Sequence, residues 1–575
     1  MKSVITNAAE ITVLEPIDNN YKTGGGPVSV GGCVVVATKG RPFVPHEIFG
    51  VGTSQEDTFG KPLPKKAYGM EGLRQLSEAA KECNWVQTVR VVNSTEYRYP
   101  SQAYLLFKER GDWAAGTLYM PGDVVTHGGQ QFIAAAEHTA ATPPAVGSGE
   151  WLAYTGPVEK DSHRYNEKVL VGDDGYWLVL YPIDGDASLK RTVRIEDVDT
   201  EKERFRLVLY DKDDTGYEYE LESLLVGIGE DDKDDMGRPA YIETVFETQS
   251  THFRCDFLEG TTWVELEPIL LALEHKKATP QGVSFEGGTS GGEPEIDDWL
   301  KAVELLRRES LPLNLLFAAG ISDPDVLARM AEIADFRHIA FFFDVPSYLP
   351  QSGALDWLKD MGLKSRHARA YYAPFEASDP WRGGKTVWGV SGAMAAAKAR
   401  GNAIFTKNVP GVHYSPAGEK RGYLSRTGVA CLFPDETLNR DTLYTARLNP
   451  VIPMTSGGAC ADDDLTQHFL ENYLRFGWIN DTLDYIDQRF VEAARIAKFE
   501  PDGLTYEILY KLVKQILDEL VTSGALVKPR DPEQDGNKEY IITITQVEID
   551  LWHVEWAVCI TGAARRIAGQ PRLIK

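Results

Sequence analysis

Residues 499–526 read FEPDGLTYEILYKLVKQILDELVTSGAL, and the chain is read outward from them. Pro501 suits a helix start, because its missing N–H would have no partner in a first turn. Leu504, Ile508, Leu509, Leu512, Val513, Ile516, Leu517, Leu520 and Val521 then recur at helical spacing, giving one broad apolar stripe that stops at Ser523-Gly524. After a polar loop from Lys528 to Lys538, Tyr540 to Ile549 reads as a strand. From Leu551 to Ile560, Trp552, Val554, Trp556, Val558 and Ile560 alternate with the remaining residues. A helix followed by two strands with one buried face is the expectation for this C-terminal unit.

The 575 residues exceed one ordinary core, and an apolar share of 43% is enough to fill several. Lys+Arg 60 against Asp+Glu 85 leaves a net charge of −25, which argues against nucleic acid or an anionic membrane as partner. The six cysteines, Cys33, Cys83, Cys255, Cys431, Cys460 and Cys559, show no metal-ligand spacing and read as reduced. The N-terminus leads into no secretory apolar region, and no apolar run approaches the about 20 residues of a membrane helix. A soluble protein made in the cytoplasm without a signal peptide is expected.

Residues 1–27 carry a short β-like run, Ile11 to Leu14 with Ile11 and Val13 on one side, then Gly24-Gly25-Gly26-Pro27. That composition fits an extended arm on a joint, or a plain tail. Val28 to Thr38 reads as a strand, Gly69 to Glu82 as a helix with Leu73, Leu76, Ala79 and Ala80 on one side, and Trp85 to Val92 as a strand again. From Gly111 to Thr155 the composition turns to Gly, Ala, Pro and isolated aromatics. Trp113, Tyr119, Phe132 and Trp151 stand in a pattern that resembles the small chitin-binding modules appended to chitinases, whose exposed aromatics stack on sugar rings. In so small a unit the same aromatics are needed for a core, and both readings stay open. The stretch reads as an insertion between the core strands Ser101 to Phe107 and Val169 to Leu180.

Val169 to Leu225 is rich in strands joined by Asp/Gly turns. Asp211, Asp213, Thr215, Gly216 and Glu222 fall at EF-hand loop spacing, but Thr215 replaces an acid or amide and the flanks are strands, so a hairpin turn is expected. Asp231, Asp232, Asp234 and Asp235 read as a solvated loop. Gly287-Gly288-Thr289-Ser290-Gly291-Gly292 precedes a helix but lacks the Lys-Ser/Thr of a phosphate loop. Leu313 to Phe317, a helix begun by Ser322-Asp323-Pro324, and Ile339 to Phe343 make a parallel βαβ unit. Arg366 to Ala373 is a further strand and Ser391 to Arg400 an alanine-rich helix. Gly389-Val390-Ser391-Gly392-Ala393 has Ala393 where a nucleophile elbow needs glycine, and His413 has no acid or nucleophile at a motif spacing.

Taken in order, several of these stretches resemble contractile tail sheath proteins of bacteriophages. They are Lys39-Gly40-Arg41-Pro42 and Thr88-Val89-Arg90-Val91-Val92, the Gly-Gly-Thr-x-Gly run before the βαβ unit, and Tyr371-Tyr372-Ala373-Pro374. Val390-Ser391-Gly392-Ala393, Asn408-Val409-Pro410, the Phe-Glu-Pro opening and Gly524-Ala525-Leu526 continue the series. Phe375 stands where the family has Trp. Gly457-Gly458-Ala459-Cys460-Ala461 and Asp487-Gln488-Arg489 depart from its Gly-Ala-Arg-Thr and Asn-x-Arg-Arg.

The resemblance covers nearly the whole chain outside Gly111 to Thr155. It implies an α/β multidomain protein: a tail-sheath-like α/β core, a β-rich inserted module and an α/β C-terminal domain with exchangeable terminal arms. The expected divisions are 1–27 (linking arm), 28–110 (first core part), 111–156 (inserted carbohydrate-binding-like module), 157–275 (β-rich region), 276–468 (central core) and 469–575 (C-terminal domain and arm). It also implies a non-enzymatic subunit without cofactor or metal, in stacked hexameric rings around a tail tube. That subunit would meet tube, baseplate and terminator proteins, be assembled in the host cytoplasm and reside in the virion tail. Strands would be exchanged between subunits through Ile11, Val13, Tyr540, Ile542, Ile544, Trp552, Val554, Trp556 and Val558. The sheath of a non-viral contractile injection particle, a polysaccharide-binding protein and a hydrolase are the competing readings. The last lacks a nucleophile, base and acid set at any recognised spacing.

Overall fold

The computed structural model describes residues 29–565 apart from 51–53, 98–102, 106–107, 120–122, 135–137, 146–149, 155–177, 186–190, 213–215, 258–261, 275–282, 286–288, 290, 436 and 455–457. Ile11 and Val13 therefore lie outside the described residues.

The core is one large sheet. In chain order its strands and covering helices are β1 (Val30–Val35), β2 (Pro45–Ile48), α1 (Gly72–Ala80), β3 (Trp85–Arg90), β4 (Leu315–Phe317), α2 (Pro324–Arg337), β5 (Ala340–Val345), α3 (Gln351–Met361), β6 (Ala368–Tyr372), α4 (Ser391–Asn402), β7 (Tyr423–Leu424), β8 (Leu448–Pro453) and β9 (Ala459–Ala461). The spatial order is β2-β3-β1-β4-β5-β6-β8-β9-β7. Strands β3, β1, β4, β5, β6 and β8 run parallel, with Gly31 opposite Leu315, Phe341 opposite Ala368 and Tyr371 opposite Asn449. Every residue of β1, β5 and β6 is buried. That is why they read as continuous apolar runs, since helices cover both faces of such a sheet. Helix Ile296–Glu304, α2 and α3 cover one face with Trp299, Leu327, Met330 and Leu358. Helices α1 and α4 cover the other with Leu73, Leu76, Met394 and Ala395.

Local chemistry sets the helix limits. The Asp323 side chain caps α2 by accepting from the N–H groups of Asp325 and Val326 at 3.0 and 3.1 Å, Pro324 follows at the first position, and His338 ends the helix in the left-handed region. Helix α4 is buried nearly all round. Its small residues let α1 approach so closely that a Cβ on Gly392 would stand 2.2 Å from the Gln75 carbonyl oxygen.

Between β3 and β4 the chain builds a second core. Thr192–Asp199, Arg204–Lys212 and Glu218–Gly227 form an antiparallel meander, and Leu178–Pro182 pairs with Ala103–Leu105 and Phe253–Phe257. Lys108–Asp112, Asp123–His127, Gln130–Ala134 and Trp151–Tyr154, which span most of the stretch expected as an insertion, form a four-stranded sheet. It is not a separate bead. Val124 and Ile133 belong to the same core as Leu178, Leu180 and Trp263, while Tyr119, Val125, Phe132, Ala134, Ala140 and Trp151 make a smaller core of their own.

The C-terminal unit comprises α5 (Gly477–Ala497), α6 (Asp502–Ser523), β10 (Tyr540–Glu548) and β11 (Leu551–Val558). Pro501 stands just outside α6 as its cap residue, one place earlier than a first-turn proline, and Gly524 closes the helix at φ 81°. Ile486, Ala493, Val513, Ile516, Leu517 and Leu520 pack against Tyr540, Ile542, Val554, Trp556 and Val558. Among the described residues no helix is long and apolar enough to cross a membrane.

Candidate functional site

In a doubly wound sheet, ligands bind beyond the carboxyl ends of the strands where the winding reverses, which here is between β1 and β4. The protein's own side chains fill that place. Ser391, fully buried, donates to Gln75 Oε1 at 2.6 Å and accepts from the Ala319 N–H at 3.2 Å. Gln75 donates in turn to Asp344 Oδ2 at 3.1 Å and to Glu71 Oε2 at 3.3 Å. The N–H groups of Val390 and Ser391, which open α4 and could otherwise hold an anion, donate to Asp344 at 2.6 and 2.9 Å. Gly389 N–H donates to Glu71 at 2.7 Å. Burial pushes the Glu71 carboxyl up to about 7 and raises Asp344 as well. A serine so enclosed serves packing, in keeping with the missing second glycine.

Of the glycine-rich stretch before Ile296–Glu304, Gly287, Gly288 and Ser290 lie outside the described residues, and its end is held by the protein's own side chains. Glu295 and Asp298 form a reciprocal capping box, and the Gly292 N–H donates to Glu96 at 2.7 Å. Asp211 and Glu222 lie on paired antiparallel strands. Asp211 meets Arg191 at 3.2 Å, while Glu222 accepts from Ser250, Thr251 and His252 at 2.5 to 3.0 Å. Asp234 pairs with Arg238 and Asp235 with Arg204 and Lys202. His413 is buried, its ring 4.2 Å from that of Tyr414, and burial first, then Lys398 and Arg421, pushes it down to about 4. All six cysteines are free thiols, and only Cys431 is exposed.

The four aromatics singled out for sugar stacking divide. Tyr119, Phe132 and Trp151 are 2%, 4% and 1% exposed, with Tyr119 edge-on to Trp151 at 5.1 Å. These three belong to the module's core, and burial removes them from the expected sugar platform. Trp113 is half-buried, edge-on at 5.5 Å to the exposed His127.

Among the described residues strands β10 and β11 pair with each other alone, Ile542 opposite Trp556 and Ile544 opposite Val554. Tyr540, Ile542, Ile544, Trp552, Val554, Trp556 and Val558 share the half-buried face, with Trp556 4.9 Å from Phe490 and Trp552 6.4 Å from Tyr506. Ile541, Val547, Ile549 and Leu551 are exposed. The outer edge of β11 is closed at its end, where Val527 N–H donates to Cys559 and Thr561 N–H to Ala525. Elsewhere this two-stranded sheet offers long backbone edges to another strand.

Sequence reading missed the charged seam on which α5 sits. Arg369 bonds Asp464, Asp481 and the Gly477 carbonyl, and Lys398 Nζ lies 2.7 Å from Asp481. Asp484 meets His367 and Arg366, and Asp487 meets His338. The signal was present as Asp481-x-x-Asp484-x-x-Asp487, three acids about one turn apart on the inner face of an amphipathic helix. His338, Asp484 and Asp487 bring donor atoms within 4.8 Å of one another. The cation they face is Arg366, whose Nη2 is 3.3, 3.4 and 3.9 Å from Asp484, His338 and Asp487.

No protein-family model and no curated protein matches the sequence. Among solved structures, the chain is similar to the sheath tail protein from Desulfitobacterium hafniense, with 13% identity, 96% of this chain and 100% of that chain covered, and a TM-score of 0.49. It is also similar to the sheath complex of PVC, an extracellular contractile injection system, in the contracted state, with 17% identity, 46% and 72% coverage and a TM-score of 0.36. A third is the helical sheath of the anti-feeding prophage in the contracted state, with 16% identity, 45% and 70% coverage and a TM-score of 0.34.

Proposed function

We propose that this chain is the structural subunit of a contractile sheath, in a bacteriophage tail. Copies would stack as hexameric rings around a tail tube, between baseplate and terminator proteins, and contract to drive the tube through a host envelope. The ordered series of sheath-like motifs supports this reading, and the structural observation that carries it is the pair β10–β11, whose edges, beyond the closed end of β11, meet no other strand among the described residues. A hairpin on a unit with its own small core can accept strands from neighbouring copies while rigid surfaces repack, which is what a lattice that changes shape without falling apart requires. The accepted strand would be Ile11 to Leu14 of another copy.

Negative-stain microscopy of the purified protein tests the reading. Tubes with a hollow axis are expected, and a monodisperse monomer under all assembly conditions would overturn it. A non-viral injection particle would use the same subunit, and the two sources part on whether the native tubes carry DNA-filled capsids.

A further inference from the structure

His367 precedes β6 and has both ring nitrogens on carboxylates. Nδ1 lies 2.6 Å from Asp335 Oδ1 of α2, and Nε2 lies 3.0 Å from Asp484 Oδ1 of α5. The ring is 3% exposed and Asp484 6%. A neutral imidazole has one N–H and one lone pair, so it can donate to only one of two ionised carboxylates while its lone pair faces the other. Two charge-assisted bonds require the doubly protonated ring. The other titratable or charged groups around it, among the described residues, are Arg366 beside it in the chain, Asp487 on α5, and His338 at the end of α2, whose ring centroid is 6.0 Å away.

We infer that the His367 imidazolium is a proton-operated clamp that fastens α5, and with it the C-terminal unit, to α2 and the central sheet. When the ring loses a proton, Asp484, 6% exposed and far less hydrated than Asp335, keeps the remaining N–H. Asp335, 44% exposed and already bonded to Ser365 Oγ at 2.6 Å, turns away. The link from His367 to α2 is lost, leaving only the contacts of Asp487 and Gln488 with His338 at the helix end, and among the described residues Asp484 keeps Arg366 as its cation at 3.3 Å. Burial pulls the imidazole down, but the bonds to Asp335 and Asp484 outweigh it and leave the ring above its ordinary value. The clamp is therefore fully closed below that ordinary value and opens as pH rises through the raised one. The inference rests on this seam alone and holds whether or not the chain is a sheath subunit.

Hydrogen exchange read by mass spectrometry on the full chain tests it, with labelling times scaled for base catalysis between pH 6 and 9. Peptides from residues 477–490 should lose roughly tenfold protection relative to β5 across this range. In Asp335→Asn the side-chain amide can donate to the Nδ1 lone pair, so protection should stay high throughout. In His367→Gln it should be low and independent of pH. If His367→Gln does not fold, the wild-type profile and Asp335→Asn decide alone. Wild-type protection of 477–490 that tracks β5 from pH 6 to 9, or a profile unchanged in Asp335→Asn, would overturn the clamp.

Discussion

Arg369 and Asp464 stand 3.1 Å apart with both side chains buried. Asp481 closes on the same guanidinium from α5, and Gly477 makes room for it, since a Cβ there would lie 2.6 Å from Arg369 Cζ and 2.4 Å from Asp464 Oδ1. Helix α5 is thus seated on the sheet by buried charge. Removing one member of such a set leaves its partners uncompensated at about 3–5 kcal/mol. Asp481→Ala is therefore expected to lower stability by that amount in a denaturant melt, while Leu504→Ala on the exposed side of α6 changes it by less than about 1 kcal/mol.

Glu71 gives a second prediction. Burial holds its carboxyl up to about 7, so the folded chain keeps a proton that the unfolded chain releases near the ordinary carboxylate value. Its contribution to stability is complete below that ordinary value and is lost as pH rises to about 7. Glu71→Gln keeps an acceptor for the Gly389 N–H and removes the titration. The Tm difference between variant and wild type should shift in the variant's favour from pH 5 to pH 8, and a constant difference would show that Glu71 is ionised throughout.

These two clusters mark where legibility in the sequence ended. The repeat of Leu509, Val513, Ile516, Leu517 and Leu520 and the alternation from Trp552 to Val558 yield their elements because each buries one stripe or one face. Asp323-Pro324 announced α2 by its capping chemistry. Sheet order is another matter: β1 and β4 are neighbours although Gly31 and Leu315 are 284 positions apart, and no local period encodes that pairing. Nor does a single sequence tell that Glu71, Asp344 and the Gly389-Val390-Ser391 opening of α4 meet, because the three are fixed by α1, β5 and α4. Tyr119, Phe132 and Trp151 show a further ambiguity: the residue types that stack on sugars also fill small cores, and only burial decides.

Glu222 is expected to act as a structural carboxylate and not as a calcium ligand. Burial works against its charge, but bonds from His252, Ser250 and Thr251 prevail and hold it down to about 2. That contribution is present above the ordinary carboxylate value and fades as pH falls towards about 2. Glu222→Gln should therefore lower Tm at pH 7 and converge with wild type in acid. Calcium should leave both melts unchanged, and a calcium-dependent rise in wild-type Tm that the variant lacks would refute this role.

The stretch from Lys108 to Tyr154 shares a core with the strands around it, more firmly than its composition suggests. Ile133, fully buried, lies in the core shared with Leu178 and Trp263, so Ile133→Ala should cost about 2–4 kcal/mol. Excision of residues 113–154 should likewise broaden or abolish the cooperative melt, in contrast to the tolerance expected of a detached insertion. Trp113→Ala should leave the fold intact. Pull-down of wild type and Trp113→Ala on insoluble chitin then tests a glycan contact, which would fail if binding is absent or equal in the two.

The last prediction follows from the proposed sheath role and concerns how copies would stay linked. Strands β10 and β11 present backbone edges, and Ile541, Val547, Ile549 and Leu551 lie exposed beside them. A strand added there would form several hydrogen bonds at ~1 kcal/mol net each, on the order of 5 kcal/mol before apolar burial. An exposed ion pair contributes only ~0–1 kcal/mol and weakens with salt. Linkage through such strands should therefore survive moderate salt and depend on the residues that supply them. Deleting Met1 to Thr23 is expected to leave a folded subunit with an unchanged melt that no longer forms tubes. Trp556→Asp, by contrast, places a charge against Phe490 and should lower the melt of the C-terminal unit itself. Sedimentation and microscopy separate the two outcomes: tubes of normal length from the deletion variant would exclude residues 1–23 from the linkage, since β10 and β11 would then be holding some other strand or none.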